Sequence, residues 1–414
     1  MAHKYELYRY IRFNTVVEKA EWNDTTKTWN IAVNVGGGKE AEFGSSYTIT
    51  SQYLVSAVGQ LNFPHYPEID GLEQFGGKLM HSARWDWTYD FNDKRVAVIG
   101  VGSTSAQIVP EVAKEAHSVT VYQRTPNWIV PRFDSLITEW KRNLLKWLPY
   151  LRRQKRSQMM NDRESSYQAV VKPAPSTRQQ FEALCIDHMR KQLPERPDLW
   201  AKFTPNYTPG CKRVVMSDDF YPAFLRDNVK LEGRKITKVT TGGIEVEDGT
   251  DTEFDLIILA TGFRTIDFMH PIVVTGAEGR SLAEIWKTGP EALNGIAVES
   301  MPNFAMMYGP NTNLSHNSII LMIEAQSRYI CALIKKVTDG GAADRRVIIQ
   351  PRVQKVKDYN INLQADLSKT NYADPNCNSW YKISDTGKVV NNWSRTVVEY
   401  QEVSCSYSTF VLHY

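Results

Sequence analysis

Hydrophobic and polar residues alternate in the first part of the chain, as they do in strands that are buried on one face. The alternating runs cover residues 11–17, 29–35 and 48–51. Gly36-Gly37-Gly38 predicts a turn between two of them. Continuous apolar runs at residues 53–58 and 256–260 instead predict fully buried strands. The chain therefore combines half-buried and buried strands.

Residues 94–130 change to a strand–helix–strand pattern. Four apolar residues, 96–99, are followed by Gly100-Val101-Gly102 and then by apolar residues at helical spacing. Residues 118–123 form a second apolar run. This order predicts one βαβ unit, in which a helix joins two parallel strands.

The second half of the chain contains both helical and strand patterns. Residues 135–200 predict a helical insertion, broken at Lys172-Pro173-Ala174-Pro175, because they are rich in Lys, Arg, Gln, Met and Trp at helical spacing. Strands return after residue 210, with a hairpin turn at Thr241-Gly242-Gly243. The remaining sequence predicts one helix, from about Ser318 to Val337, followed by irregular polar chain.

The composition limits the class of protein. A length of 414 residues predicts two or three structural units, and 42% hydrophobic residues suffice for their cores. A net charge of +3 gives no indication of a nucleic-acid partner. The N-terminus lacks the apolar region of a secretory signal, and no apolar run approaches the ~20 residues of a membrane span. We therefore expect a cytoplasmic protein without a transmembrane segment.

The five cysteines, Cys185, Cys211, Cys331, Cys377 and Cys405, lie far apart in the sequence. No C-x-x-C pair is present, so the sequence predicts neither a zinc site nor a redox-active disulfide motif. Scattered cysteines are typical of a reducing compartment, in which they remain thiols. We accordingly expect no metal.

The turn after residue 99 has the pattern of a dinucleotide-binding site. Gly100 permits a tight turn, and Gly102 lets the backbone approach a pyrophosphate. The following helix begins with Ser103 and Thr104, and its N-terminal amides favour phosphate binding. Ser105 occupies the position of the third glycine. The alternative, an ordinary turn between a strand and a helix, is disfavoured by the flanking patterns.

The strand at residues 118–123 ends at Arg124-Thr125. An NAD enzyme usually has an acidic residue there, which binds the ribose 2′-hydroxyl, whereas an arginine suits the 2′-phosphate of NADP. A charge-assisted hydrogen bond of this kind contributes roughly 1.5–3 kcal/mol. The alternative is an arginine that is merely solvated at a strand end. We predict NADPH as the nucleotide, with Arg124 and Thr125 at its 2′-phosphate.

Residues 75–86 read F-x-G-x-x-x-H-x-x-x-W-D and shortly precede the glycine turn. The pattern and its position resemble the fingerprint of the Baeyer-Villiger monooxygenases. Members of that family use FAD, NADPH and O2 to insert an oxygen atom beside a ketone, which gives an ester or lactone. The ending Trp85-Asp86 separates them from related N- and S-oxygenating flavin monooxygenases, which usually lack the tryptophan. The resemblance thus implies a small-molecule ketone and O2 as substrates.

The resemblance also implies an α/β fold with two dinucleotide-binding, Rossmann-like domains. The FAD domain would be incomplete at its N-terminus, and a helical insertion would interrupt the NADP domain. The expected FAD-domain parts are residues 1–88 and 265–414. The expected NADP-domain parts are residues 89–134 and 206–264, with the insertion at 135–205.

In the resembling family, the positions of His81 and Trp85 lie on the linker between the two domains. The resemblance implies that they couple domain movement to catalysis instead of touching the substrate. The alternative is a packed surface turn, in which the backbone satisfies His81 and Trp85 covers apolar area.

The segment Cys211-Lys212-Arg213 is similar to the family's Lys-Arg stretch after the helical insertion. The resemblance implies that Lys212 meets the 2′-phosphate and that Arg213 lies over the flavin, beside the nicotinamide. A permanently charged arginine would stabilise the negatively charged oxygen species there. The alternative is a basic loop that pairs with Asp218 or Asp219.

Two further segments are similar to flavin-side stretches of the family. Asn311 lies in a Gly-Pro-Asn turn that would pass the flavin ring and open a helix, with amides facing the ring. Trp380 lies in a segment whose tryptophan would fold over the NADP.

A complete member of the family begins with a further glycine turn, which binds the FAD pyrophosphate. No such turn lies upstream of residue 94 in this sequence. We expect either an incomplete version of a longer oxygenase or a flavin-free relative. The relative would bind NADP(H) without turnover or catalyse a non-redox rearrangement. The resemblance is closest to fungal-type members, which often serve secondary metabolism.

Residues 140–156 are basic and amphipathic, as helices at a membrane surface are. The alternative is a helix that packs on the nicotinamide domain and exposes a solvated basic face. The sequence favours this packed helix.

Overall fold

The computed structural model describes residues 1–37, 44–172, 174–340, 347–384, 386–403 and 410–413. The strands are β1 Thr15–Asn23, β2 Thr28–Val35, β3 Ser46–Ser51, β4 Leu54–Ser56, β5 Lys78–His81, β6 Arg95–Ile99, β7 Ser118–Tyr122, β8 Ile129–Val130, β9 Val215–Met216, β10 Val229–Glu232, β11 Ile236–Val239, β12 Gly243–Val246, β13 Asp251–Glu253, β14 Leu256–Leu259, β15 Val273–Thr275, β16 Phe304–Met306, β17 Ile348–Pro351 and β18 Phe410–His413.

The helices are α1 Ser103–Val112, α2 Glu139–Trp147, α3 Pro149–Ser165, α4 Tyr167–Val170, α5 Pro175–Gln192, α6 Pro197–Phe203, α7 Phe220–Ala223, α8 Leu282–Ile285, α9 Ile319–Asp339, α10 Val353–Leu367 and α11 Val397–Val403. The mixture of helices with parallel and antiparallel strands confirms the α/β class.

A five-stranded parallel sheet, in the order β10-β7-β6-β14-β5, forms the centre of one half of the molecule. Successive side chains of β6 and β14 point to opposite faces. Val98 and Ile258 pack towards α1, while Ala97 and Ile257 pack towards the small antiparallel sheet β11-β12-β13. Both faces are covered, which explains why these strands read as continuous apolar runs.

The predicted βαβ unit is confirmed as β6, α1 and β7. The edge strand β5, however, lies upstream of residue 89, where the sequence suggested that this domain begins. The four residues of β5 lie within the F-x-G fingerprint and show no strand periodicity of their own. Part of the fingerprint is therefore the edge strand of the parallel sheet, paired with β14.

A second sheet, in the order β15-β1-β2-β3, is built from the alternating segments near the N-terminus. Strand β1 begins at Thr15, four residues later than the predicted run, and pairs antiparallel with β2. The inward face carries Trp29, which is fully buried, and its indole Nε1 donates a hydrogen bond to the Pro302 carbonyl at 2.9 Å. The alternation of apolar and polar residues therefore predicted this sheet correctly.

The helical insertion is confirmed, but its parts differ in how they pack. Helices α5 and α6 place Met189, Leu199 and Phe203 in the apolar core of the parallel sheet. Helices α2 and α3 bury none of their residues. The sequence-based preference for a packed basic helix at residues 140–156 is therefore wrong.

The C-terminal part contains the predicted helix as α9, Ile319–Asp339. The expectation of irregular chain after it is wrong, because β17 and a 15-residue helix, α10, follow. Helix α10 buries Val356, Asn360, Leu363 and Leu367, which lie on one face at helical spacing. The polar Asn360 interrupts the apolar stripe, so the pattern was not apparent in the sequence.

A disulfide joins Cys211 to Cys377, which are 166 residues apart. The expectation that the scattered cysteines remain thiols is wrong for this pair. Sequence spacing carries no signal here because the fold, not a local motif, brings the two residues together. Cys185 and Cys331 are free, and Cys405 lies outside the described residues.

Within the described ranges, no helix has the length and hydropathy to cross a bilayer. Over the same part of the chain, no group of three His, Cys, Asp or Glu side chains is arranged to hold a metal ion.

The buried centre of the parallel sheet yields a direct test of the fold. Ile257 is fully buried. Ile257→Ala leaves a cavity and is expected to lower the free energy of unfolding by about 2–5 kcal/mol in urea titrations. The control is Ile361→Ala on α10, whose side chain is 68% exposed, with an expected change below about 0.5 kcal/mol. Equal losses would contradict the assignment of Ile257 to the core.

Candidate active site

The glycine turn follows β6 at the carboxyl edge of the parallel sheet. Gly100 has φ +112°, and a Cβ there would lie 2.6 Å from the carbonyl oxygen of Ala260, which follows β14. A larger residue would therefore push the ends of β6 and β14 apart. The tight turn predicted for Gly100 is present, and its cause is this close approach.

Gly102 is the N-cap of α1, and no side chain caps the helix. A Cβ at Gly102 would meet nothing within 4 Å, so the backbone faces open space. Ser103 is exposed and Thr104 is half-buried beside it. Ser105 is fully buried, and its Oγ has no hydrogen-bond partner in the described part of the chain. Uncapped amides and an unpartnered hydroxyl are suited to an anion.

Lys212 and Arg124 form a pair of cations beside this turn. Lys212 is half-buried, with its Nζ 4.8 Å from the ring centroid of Tyr207. Burial, and secondly the charge of Arg124, lower the pKa of Lys212 to about 8. Among the described residues, no carboxylate lies within ion-pair distance of either cation. Two unpaired neighbouring cations are suited to bind a dianion.

Hydrogen bonds connect Tyr207, whose ring lies beside the Lys212 amine, to the glycine turn. The Tyr207 hydroxyl donates to the Pro126 carbonyl at 2.8 Å and lies 3.1 Å from Asn127 Oδ1. Asn127 Nδ2 in turn donates to the Val101 carbonyl at 2.7 Å. Thr125 is half-buried between Arg124 and this network. Sequence reasoning missed Asn127 and Tyr207, whose contribution depends on contacts across about 80 residues.

Arg213 is exposed, and its positive charge acts on the half-buried phenol of Tyr308 and the buried phenol of Tyr381. Burial raises the pKa of Tyr308 to about 12, and the charge of Arg213 opposes that rise. Burial likewise raises the pKa of Tyr381, and the charge of Arg213 again opposes that rise. The guanidinium has no carboxylate partner within the described ranges.

The two acids proposed as alternative partners of Arg213 are bound elsewhere. The Arg132 backbone N–H donates to Asp218 at 3.3 Å, and the Arg132 guanidinium pairs with Asp219. The basic loop is therefore not neutralised by its own acidic neighbours. The positive charge of Arg213 therefore remains available to interact with a bound ligand.

We name residues 207–213 the Lys-Arg loop. Its backbone N–H at Thr208 donates to Asp374 Oδ2 at 2.8 Å, and the Cys211–Cys377 disulfide ties it to the same segment. Gly210 has φ +88°, and a Cβ there would lie only 1.9 Å from the Val170 carbonyl oxygen. The loop is thus held on two sides by chain far away in sequence, which explains why the sequence did not reveal these supports.

His81 lies at the carboxyl end of β5 and is buried. Its Nδ1 accepts a hydrogen bond from the Ala83 N–H at 3.1 Å, while Nε2 makes no hydrogen bond within the described residues. Burial lowers the pKa of His81. The imidazole is therefore neutral at pH 7, and Nε2 carries its proton.

Trp85 stacks on Phe91, with ring centroids 5.5 Å apart, and packs against the core of the parallel sheet. Asp86 pairs with Lys78 at 2.6 Å, and this contact and Thr88 hold the pKa of the Asp86 carboxyl well below its usual range. The fingerprint thus forms a fixed connection between β5 and β6. Its role in coupling domain movement stays a prediction.

Asn311 and Trp380 lie in the C-terminal half. The Asn311 amide group donates to the carbonyls of Val389 and Asn392, at 2.9 and 3.1 Å, and its backbone N–H donates to Val390 at 3.0 Å. The amide donors of Asn311 itself are therefore engaged within the chain, and the contact of this turn with a flavin ring stays a prediction. Trp380 lies against Tyr381, with ring centroids 4.4 Å apart, and so adjoins a phenol on which Arg213 acts.

Comparison with known proteins identifies the family. Residues 1–163 match the family model described as flavin-binding monooxygenase-like. The chain is 50% identical over 402 residues to the FAD-binding monooxygenase ktnD of Aspergillus niger, which covers 97% of this chain and 66% of that protein. It is 35% identical to a Baeyer-Villiger monooxygenase of Streptomyces coelicolor, covering 97% of this chain and 74% of that one.

Solved structures agree on the fold. The structure of OTEMO in complex with FAD and NADP superposes with a TM-score of 0.84 at 24% identity, covering 100% of this chain and 83% of that one. Cyclohexanone monooxygenase from Rhodococcus sp. Phi1 bound to NADP+ gives 0.84 at 21% identity, covering 99% and 82%. This chain belongs to the Baeyer-Villiger-type flavin monooxygenase family, which confirms the resemblance drawn from the fingerprint. It spans 66% of the length of the A. niger relative.

The pair of cations predicts an unusual titration. The Lys212 amine is expected to titrate near pH 8, and anion binding should weaken as pH rises through that value because the amine loses its charge. Arg124→Gln removes a like charge and should raise the pKa of the Lys212 amine. The pH dependence of acetylation at Lys212, read by peptide mass spectrometry, measures it. Arg132→Gln is the control and should leave the midpoint unchanged. A midpoint at the ordinary 10.5 would refute the arrangement.

Proposed function

We propose that this protein is an FAD- and NADPH-dependent monooxygenase that inserts an oxygen atom beside a ketone to give an ester or lactone. The observation that carries the proposal is the group of three cations, Arg124, Lys212 and Arg213, without carboxylate partners beside an uncapped helix N-terminus. Membership of the family supports the same reaction.

The residues present fit NADPH. The pyrophosphate would lie at the N-terminus of α1, where Gly102 leaves the backbone open and the Ser105 hydroxyl lacks a partner. The 2′-phosphate would lie between Lys212 and Arg124, and Thr125 would adjoin it. An arginine and a lysine together supply both a planar fork and a point charge for that phosphate.

The described residues fit only part of an FAD site. Among the described residues, only Gly100–Gly102 forms a glycine turn from a parallel strand directly into a helix, so the FAD phosphates would need other donors. We assign β4, β16 and α9 to the FAD domain, the second dinucleotide-binding unit. When bound, FAD supplies the redox chemistry that activates O2.

Arg213 would be the catalytic cation. Its guanidinium is not neutralised by a carboxylate, so it can stabilise negative charge that develops on the ketone oxygen during attack. The neighbouring phenols of Tyr308 and Tyr381 stay protonated, because burial raises the pKa of each. His81 and Trp85 would act through the connection between β5 and β6, without contact with substrate.

A flavin-free NADP(H)-binding protein is the second candidate. It is favoured by Asn311, whose donors are all engaged within the chain. An absorption spectrum of the purified chain, taken after incubation with FAD and desalting, separates the two. A retained flavin spectrum supports the oxygenase, and a colourless protein that binds NADPH supports the second candidate.

The nucleotide assignment predicts selective losses. Arg124→Ala is expected to weaken NADPH binding about ten- to a hundredfold, because it removes a charge-assisted bond to the 2′-phosphate, and to leave NADH binding nearly unchanged. Fluorescence titration measures both. Arg132→Ala serves as the matched control, since its guanidinium already pairs with Asp219. Equal losses for NADPH and NADH would exclude this role for Arg124.

Arg213 is tested in flavin-loaded protein. Arg213→Ala is expected to abolish ester formation from ketones, while NADPH affinity changes much less than in Arg124→Ala. Product formation is followed by gas chromatography, with Arg213→Lys as the charge-preserving control that should retain part of the rate. Ester formation by Arg213→Ala at a near-normal rate would rule out the assignment.

A further inference from the structure

The helical insertion exposes a concentration of large apolar side chains. Leu136 is 98% exposed, Trp147 75% and Trp140 63%. On α2, Trp140, Leu144 and Trp147 follow one another at spacings of four and three residues, so they share one face of the helix. We name residues 133–156 the amphipathic surface.

The same segment is strongly basic. Between residues 133 and 156 the sequence contains seven lysine and arginine residues against two acidic residues, Asp134 and Glu139. In the described part of the chain, none of these basic side chains has a carboxylate within ion-pair distance. Lys141 and Lys146 instead lie over the rings of Trp140 and Trp147, at 5.8 and 5.6 Å.

The amphipathic surface stands apart from the cores of the protein. Helices α2 and α3 contribute no buried residue, whereas α5 of the same insertion buries Cys185, His188 and Met189. Internal packing therefore does not account for the tryptophans of α2. A large apolar face that no part of the described chain covers marks an interaction site.

Charge selects the partner. A second copy of the chain would place the same uncompensated positive charges against each other, which opposes self-association. An anionic bilayer offers phosphates to the cations and an acyl boundary to the apolar side chains, and tryptophan favours that boundary. We propose that the amphipathic surface docks peripherally on bilayers that contain anionic phospholipid.

The test is co-sedimentation of the purified chain with vesicles. Two compositions are compared, phosphatidylcholine alone and phosphatidylcholine mixed with phosphatidylserine, and a sample without vesicles controls for self-association. Binding to the anionic vesicles is expected to be about tenfold stronger than to the neutral ones and to fall as salt is raised. The assay needs neither flavin nor nucleotide, so its outcome is independent of the proposed function.

Variants separate the surface from the rest of the protein. Replacing both tryptophans of α2 (Trp140→Ser and Trp147→Ser) should lower anionic-vesicle binding about tenfold. Ile361→Ser changes a comparably exposed apolar residue on α10 and should leave it unchanged. Far-UV circular dichroism checks that each variant folds.

Three outcomes overturn the proposal. The protein remains in the supernatant with both vesicle compositions, or it sediments equally without vesicles because copies associate, or the tryptophan variant binds as strongly as Ile361→Ser.

Discussion

The close approach of β6 and β14 is the constraint on which the candidate site depends. These parallel strands are paired from Leu256 to Leu259, and Gly100 lets the chain turn where its backbone meets Ala260. Because the strands of this sheet are parallel, their carboxyl ends gather at one edge. That edge receives Gly102 after β6, Arg124 after β7 and His81 at the end of β5.

The Lys-Arg loop completes the site from a different direction. The loop follows the helical insertion in the sequence. The strand directly after it, β9, pairs in parallel with β8, which precedes the insertion. A disulfide and the hydrogen bond to Asp374 tie the loop to the C-terminal half. Two cations can then lie beside an open helix N-terminus without an acidic neighbour. Such an arrangement is costly in the absence of an anion, which is why it points to binding.

Local sequence patterns predicted those parts of the fold that depend on residues close together in the sequence. The βαβ unit around Gly100 and the helix α9 were predictable, since strand, turn and helix signals follow one another within a few residues. The family resemblance added Lys212 and Arg213, which composition and spacing would not have singled out. Contacts across the chain were not predictable. The Cys211–Cys377 disulfide, the Tyr207–Asn127 network and the exposure of α2 all depend on tertiary arrangement.

We propose that the unpaired cations at the sheet edge hold the 2′-phosphate of NADP. A crystal structure of the chain with bound NADP+ tests it most directly. We expect the 2′-phosphate to lie between Lys212 and Arg124, and the pyrophosphate to lie at the N-terminus of α1, within hydrogen-bonding distance of its amides. A nucleotide bound elsewhere, with both cations left in solvent, would contradict it.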